Sequence, residues 1–146
     1  MLPCFAVNVR DVVDFMRTQK HGVVATVTDS GEPQAAVVGY AVSDALELVF
    51  DTLGDTRKAG NLRKRPRLAL TMWDEPKART VQYEGVADEP KGKELERCKE
   101  LYFASFPDGR EREQWPGITW FRVKPRWVRH SDFSGEVPVL SMVELP

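Results

Sequence analysis

Apolar residues recur at two different periods along the 146-residue chain, and each change of period marks an element. Near the start, Val9, Val12, Val13 and Met16 stand at i, i+3, i+4 and i+7 behind a capping pattern of Asn8 and Asp11. The spacing predicts a short amphipathic helix ending near Gly22, its apolar stripe facing a core. From Val23 the period becomes two. Val23 to Thr28 is β-branched and closes on the turn cluster Asp29-Ser30-Gly31-Glu32-Pro33. Gln34 to Val42 follows as a second strand with little polarity on either face, as suits a closed barrel or a strand beneath a flat ligand. Ser43-Asp44 then turns the chain into Leu46 to Phe50, so the three strands read as an antiparallel meander.

The next helical stretch, about Asp55 to Lys64, stops before Pro66, which disfavours the helical region for Arg65. Leu68, Leu70 and Met72 alternate through a fourth strand. Thr80 to Ala87 gives a fifth, with Val81, Tyr83 and Ala87 on one face and Gly85 marking a bulge or a close backbone approach. Asp88-Glu89-Pro90 signals a helix start, and Leu95, Cys98 and Tyr102 keep helical spacing through Lys91 to Phe106. Arg110 to Pro116 reads as a charged loop, and Ile118 to Lys124 and Trp127 to Phe133 as two last strands joined through Pro125-Arg126. The expected architecture is a single mainly β domain over residues 1–146, a β-barrel with two or three helices outside it.

Composition narrows the function. A net charge of -1 gives no general attraction to nucleic acid or an acidic membrane, so basic chemistry must be local. Cys4 and Cys98 lack metal-ligand spacing and are expected as reduced thiols. The apolar start Met1 to Val7 has no basic leader and is too short to span a bilayer, which points to the cytoplasm. The sequence has neither a Gly-x-Ser-x-Gly nor a His-Glu-x-x-His motif, and its two histidines, His21 and His130, stand on different elements. His21 reads as a surface or capping residue and His130 as a candidate substrate contact. Arg63-Lys64-Arg65-Pro66-Arg67 lacks the interleaved aromatics of a nucleic-acid patch.

The chemistry gathers between Val49 and Thr71, where Thr52, Thr56, Arg57 and Lys58 stand at a loop-to-helix junction. Hydroxyls, free backbone amides and two cations at a helix start suit a terminal phosphate, because the helix dipole and charge-assisted hydrogen bonds add. Composition alone leaves a solvated basic helix equally open.

The run Val-Phe-Asp-Thr-Leu-Gly-Asp-Thr-Arg-Lys (49–58) with Asn-Leu-Arg-Lys-Arg-Pro-Arg-Leu-Ala-Leu (61–70) resembles the flavin-phosphate segment of the pyridoxamine 5'-phosphate oxidase-like family of FMN-binding split barrels. The looser likeness runs from about His21 to Asp88. It implies a split barrel and a homodimer. FMN would be held at Thr52, Thr56, Arg57 and Lys58, with its ring near the backbone of Val37 and Val38. Thr80 falls at or near the family's flavin-side Gln, and Trp127 and Arg129 are the implied contributions from a second subunit. The implied chemistry is hydride or electron transfer between the flavin and a small organic substrate, with a nicotinamide as electron donor. A deazaflavin-dependent reductase, its acidic tail lying on the Arg63 to Arg67 run, and a non-catalytic flavin- or haem-binding protein are the alternatives.

The departures are equally specific. The family's flavin-contacting Arg on the second strand has no counterpart among Gln34, Ala35 and Ala36, and the Arg-x-His substrate motif is absent from Trp127-Val128-Arg129-His130-Ser131. Oxidation of pyridoxamine phosphate is therefore not expected. Of the late tryptophans, Trp120 alternates with Arg122, so its side of the strand is not expected to lie wholly in an apolar core.

Overall fold

The computed structural model describes residues 4–146. After the strand Cys4–Val7 (β1), the helix Val9–Thr18 (α1) is capped by Asn8, whose side chain accepts from the Arg10 N–H at 2.8 Å. It buries Val12, Val13 and Met16 of the predicted stripe, with Phe15 added and Val9 half-buried. His21–Val27 (β2) and Pro33–Gly39 (β3) form an antiparallel hairpin, closed by the Thr28 N–H on Glu32 O at 2.9 Å. The turn needs a glycine at Gly31, where φ is +87°.

The expected meander breaks at Tyr40. Its ring turns inward and its hydroxyl donates to Met16 O at 2.6 Å, so the continuous strand expected over Gln34 to Val42 splits. The short Ala41–Val42 (β4) then pairs with Leu48–Leu53 (β5). Leu46, expected at the start of that strand, instead takes a left-handed turn with φ 63°, its side chain still buried.

Arg57–Lys64 (α2) leads to the antiparallel pair Arg67–Asp74 (β6) and Arg79–Asp88 (β7). Val81, Tyr83 and Ala87 face inward as expected. Gly92–Ser105 (α3) and the four-residue helix Gly109–Arg112 (α4), expected as loop, precede Ile118–Asp132 (β8). This last element was expected as two strands but is continuous through Pro125-Arg126, because those residues form a bulge against Gly85. Gly85 pairs with Pro125 and Glu84 with Trp127, leaving Arg126 as the extra residue. A Cβ on Gly85 would lie 2.6 Å from the Lys124 carbonyl oxygen, so the approach requires glycine.

Val139–Val143 (β9), not anticipated, pairs antiparallel with the end of β8 and parallel with β1. The described strands follow the order β1-β9-β8-β7-β6-β2-β3, with β5 paired to Ile118–Val123 of β8. One core fills the curved sheet, where Phe50, Leu70, Met72 and Phe121 meet α1 and the inner side of α2. A second lies between α3 and the outer side of β5 and β8. Trp120 belongs to the second core and is only 6% exposed, contrary to expectation, because Tyr102 and Phe103 pack edge-on against it. Arg122 on the same side ion-pairs with Asp88 and Glu94 at the margin. Cys98 is a buried free thiol in this layer.

Candidate functional site

The loop before α2 is built to start a helix and leave its first donors open. Thr56 is the N-cap: its hydroxyl donates to Leu53 O at 2.9 Å and accepts from the Ala59 N–H at 3.4 Å. The buried Thr52 hydroxyl lies 3.2 Å from the Thr56 hydroxyl. Thr56 Oγ is thus committed to the cap, and with its proton on Leu53 O it can only accept from Thr52. The N–H groups of Arg57 and Lys58, first in the helix, find no acceptor among the described residues.

The residues that carry these donors line a cleft of about 190 Å³ between α2 and the strands β2 and β3. Thr56, Arg57 and Lys58 form one wall, and Gln34, Ala35 and Ala36 of β3 form the floor beside Val24 and Thr26. Among the described residues neither Arg57 nor Lys58 makes an ion pair or a side-chain hydrogen bond. Burial pushes the Lys58 ammonium below its ordinary pKa, while the Asp51 carboxylate pushes the other way. Asp51 is itself held from outside the cleft, accepting from the Tyr102 hydroxyl at 3.0 Å and from Arg112 Nε at 3.5 Å. Two cations at a helix start whose first amides are unpaired line one small cavity, an arrangement suited to a phosphate dianion.

The other residues expected at the site are distributed differently. Val38 is buried in the barrel core and Val37, on the opposite face, is 67% exposed. Strand alternation sends their side chains to opposite sides, while their backbone, where the ring was expected, continues β3 directly from the cleft floor at Gln34 to Ala36. Thr80 pairs with Trp73 and Ser131 and lines a shallow depression with Arg79 and Phe133, away from α2. Trp127 borders a cleft of about 250 Å³ with Ala25, Ala69, Gln82 and Glu84. Arg129 lies over the Trp127 ring and donates to Gln82 at 2.6 Å. His21 is exposed and edge-on to Phe106, whereas His130 packs edge-on against Phe15 with its pKa lowered by burial and by Arg79. Neither histidine lines the phosphate-sized cleft.

A cavity of about 570 Å³, mostly apolar, lies on the outer side of β2, β6 and β7. It shares Ala25, Ala69 and Glu84 with the Trp127 cleft on that face, and Thr26 with the cleft at α2, whose other β2 residue, Val24, points to the core side. Gln34 and Asp51 were not singled out from sequence as site residues. Gln34 is the polar residue that opens an otherwise apolar strand, and Asp51 directly precedes Thr52, which were the available signals.

The family model described as pyridoxamine 5'-phosphate oxidase matches residues 9–132. The chain belongs to this family. A pyridoxine/pyridoxamine 5'-phosphate oxidase from Salmonella paratyphi B is 32% identical over 127 residues, spanning 82% of this chain and 56% of the relative. The chain spans about half the length of the curated relatives it matches, and 37% of the one from Gloeothece citriformis.

Among solved structures, a heme binding protein from Mycobacterium smegmatis superposes with a TM-score of 0.77 at 19% identity, covering 94% of this chain and 61% of that one. A pyridoxamine 5'-phosphate oxidase-related, FMN binding protein from Nostoc punctiforme gives 0.70 at 14% identity, covering 90% and 87%. The expected split barrel is therefore the fold. Among the described residues no helix is long and apolar enough to cross a membrane, and no cluster of His, Cys, Asp and Glu could hold a metal ion.

Proposed function

We propose that this family member binds FMN and works as a flavin-dependent oxidoreductase on a small organic substrate. The observation that carries this reading is the α2 cleft, a phosphate-sized space lined by two unpaired cations at a helix start whose first two amides have no acceptor among the described residues. The residues fit the group. Arg57, Lys58 and their backbone N–H groups would hold the phosphate, the Thr52 hydroxyl could turn to it from Thr56, and Thr56 would fix the helix start. Bound there, the flavin supplies hydride or electron transfer, for which a nicotinamide is the proposed donor. The protein's part is to orient the ring, exclude water from one side of it and balance the phosphate charge.

The uncovered face of β2, β6 and β7, with Trp73 51% exposed and Trp127 beside its own cleft, supports a homodimer. Trp127 and Arg129 of a second copy would complete the ring site, the role proposed for them from sequence. The absence of an Arg-x-His motif from Trp127-Val128-Arg129-His130-Ser131 supports a substrate other than pyridoxamine phosphate.

Haem is the alternative raised by the Mycobacterium smegmatis structure. A haem iron calls for an axial ligand, and neither histidine lines the α2 cleft, so that cleft offers a phosphate its partners and a haem no histidine. A deazaflavin tail on the Arg63 to Arg67 run is also disfavoured, since Arg63 and Lys64 are paired with Glu89 and Asp29.

The visible spectrum of the purified protein, with mass analysis of what heat releases, tests the reading. Flavin bands and an FMN mass are expected. An intense Soret band with no flavin, or failure to bind added FMN, would overturn it. Light scattering at micromolar concentration tests the dimer, which a monomer with tight FMN binding would sink.

A further inference from the structure

The floor of the α2 cleft is almost without polar groups. Val24, Ala35 and Ala36 offer only apolar side chains, and the Thr26 hydroxyl, 2% exposed, accepts from Asn61 Nδ2 at 3.0 Å. Gln34 is the exception. Its side chain lines both the cleft and an adjoining polar depression of about 480 Å³, and these two cavities also share Arg57. Its carbonyl oxygen accepts the second hydrogen of Asn61 Nδ2 at 2.9 Å. Asn61 therefore uses both amide hydrogens on the floor, one for Thr26 and one for Gln34. With the Gln34 oxygen committed to α2, its amide nitrogen is the end left to meet a ligand, and its two hydrogens have no acceptor among the described residues.

We propose that Gln34, oriented by Asn61, is a phosphate-binding residue of this site, a neutral donor on the strand side opposite the cations of α2. This rests on the reading that the cleft holds the phosphate of a flavin. The charge balance favours a neutral group in this position. Arg57 and Lys58 already match a dianion, and burial already disfavours the charge on Lys58, so a third cation on the floor would deepen that penalty. An amide adds a directed hydrogen bond without that cost. Because Asn61 stands on α2 and Gln34 on β3, the same bridge also fixes the width of the cleft.

The test is a comparison of FMN with riboflavin, which shares the ring and side chain but lacks the phosphate. Fluorescence titration of Gln34→Leu should show FMN binding weakened about three- to tenfold with riboflavin binding unchanged. Gln34→Glu, nearly isosteric but acceptor-only at neutral pH, should lose more FMN affinity than Gln34→Leu because a carboxylate faces the dianion. Adding Asn61→Ala to Gln34→Leu should cost FMN affinity little more than Gln34→Leu alone, since the two act as one unit. Equal losses for FMN and riboflavin would assign Gln34 to ring placement or to the fold and overturn the proposal. So would FMN affinity unchanged in both single variants. If the unmodified protein binds riboflavin as tightly as FMN, or binds neither, the phosphate reading itself fails and Gln34's role falls with it.

Discussion

The two ends of α2 carry similar side chains and opposite roles. At the C-terminal end, Arg63 pairs with Glu89 and donates to Gly54 O, Lys64 pairs with Asp29 at 2.7 Å, and Arg65 donates to Asp29 O at 2.7 Å. Cations there also complement the negative end of the helix dipole. At the N-terminal end, Arg57 and Lys58 make no ion pair among the described residues, Asp51 acts on Lys58 only from beyond ion-pair distance, the first turn holds no acid, and the dipole opposes them. Placing positive charge at that end costs about 0.3–1 kcal/mol per residue. Such an arrangement does nothing for the stability of the free helix and becomes favourable when an anion arrives. Basic composition alone therefore does not identify a binding site, whereas unpaired basic residues at the unfavourable end of a helix point to one.

The largest effect expected comes from removing the unpaired end. Each charge-assisted contact to a phosphate is worth about 1.5–3 kcal/mol, so Arg57→Ala with Lys58→Ala should weaken FMN binding by about a hundredfold or more and yield colourless protein. Thermal stability of the cofactor-free protein should hold or rise slightly, because the charges removed oppose the dipole. Flavin titration and thermal melting of the same variant test both halves. Unchanged affinity would leave Arg57 and Lys58 as solvated charges.

The features legible in sequence were those set by near neighbours in the chain. The α1 stripe, the Asp29 to Pro33 turn, the Gly85 bulge and the helix start at Thr56 all follow from local spacing or local chemistry. Features needing a distant partner were not. Cys4–Val7 becomes a strand only because Leu140 to Val143 lies beside it. Pro125 remains within a strand only because Gly85 faces it across the bulge. Trp120 looked half-exposed until α3 was laid over it. At the site, the sequence grouped Thr52, Thr56, Arg57 and Lys58, but it could not show that Asp29 and Glu89 neutralise the far end of α2, or that Asn61 ties it to Gln34.

A smaller effect should appear as a pH dependence confined to the unpaired end. Burial lowers the pKa of Lys58, so in the free protein it loses its proton below the pH at which an ordinary lysine, near 10.4, would. A bound phosphate favours the protonated form, so the complex holds more protons than the free protein and affinity must fall as pH rises through the free-state pKa. FMN titrations across the alkaline range should show this decline, and Lys58→Arg should flatten it because guanidinium keeps its charge there. A decline that persists undiminished in Lys58→Arg would assign the titration to another group.

The smallest effect belongs to the paired end. Lys64→Ala with Arg65→Ala removes as much charge from α2 as the first variant, yet it acts on exposed contacts that tie the helix to the β2–β3 turn through Asp29. Exposed pairs contribute little, so the melting temperature should fall by no more than about 3 °C and FMN affinity should stay within about twofold. A further signature lies in acid. Lys64 holds the Asp29 carboxyl below its ordinary pKa, so the pair's contribution is present above the unfolded pKa near 3.8 and is lost as pH falls through the lowered folded value. The variant should therefore lose less stability than the parent on acidification across that window, which thermal melts between neutral pH and about pH 2 would reveal. If instead this variant lost as much FMN affinity as Arg57→Ala with Lys58→Ala, both ends of α2 would act as one diffuse basic field. The distinction between its two ends would then have no functional meaning.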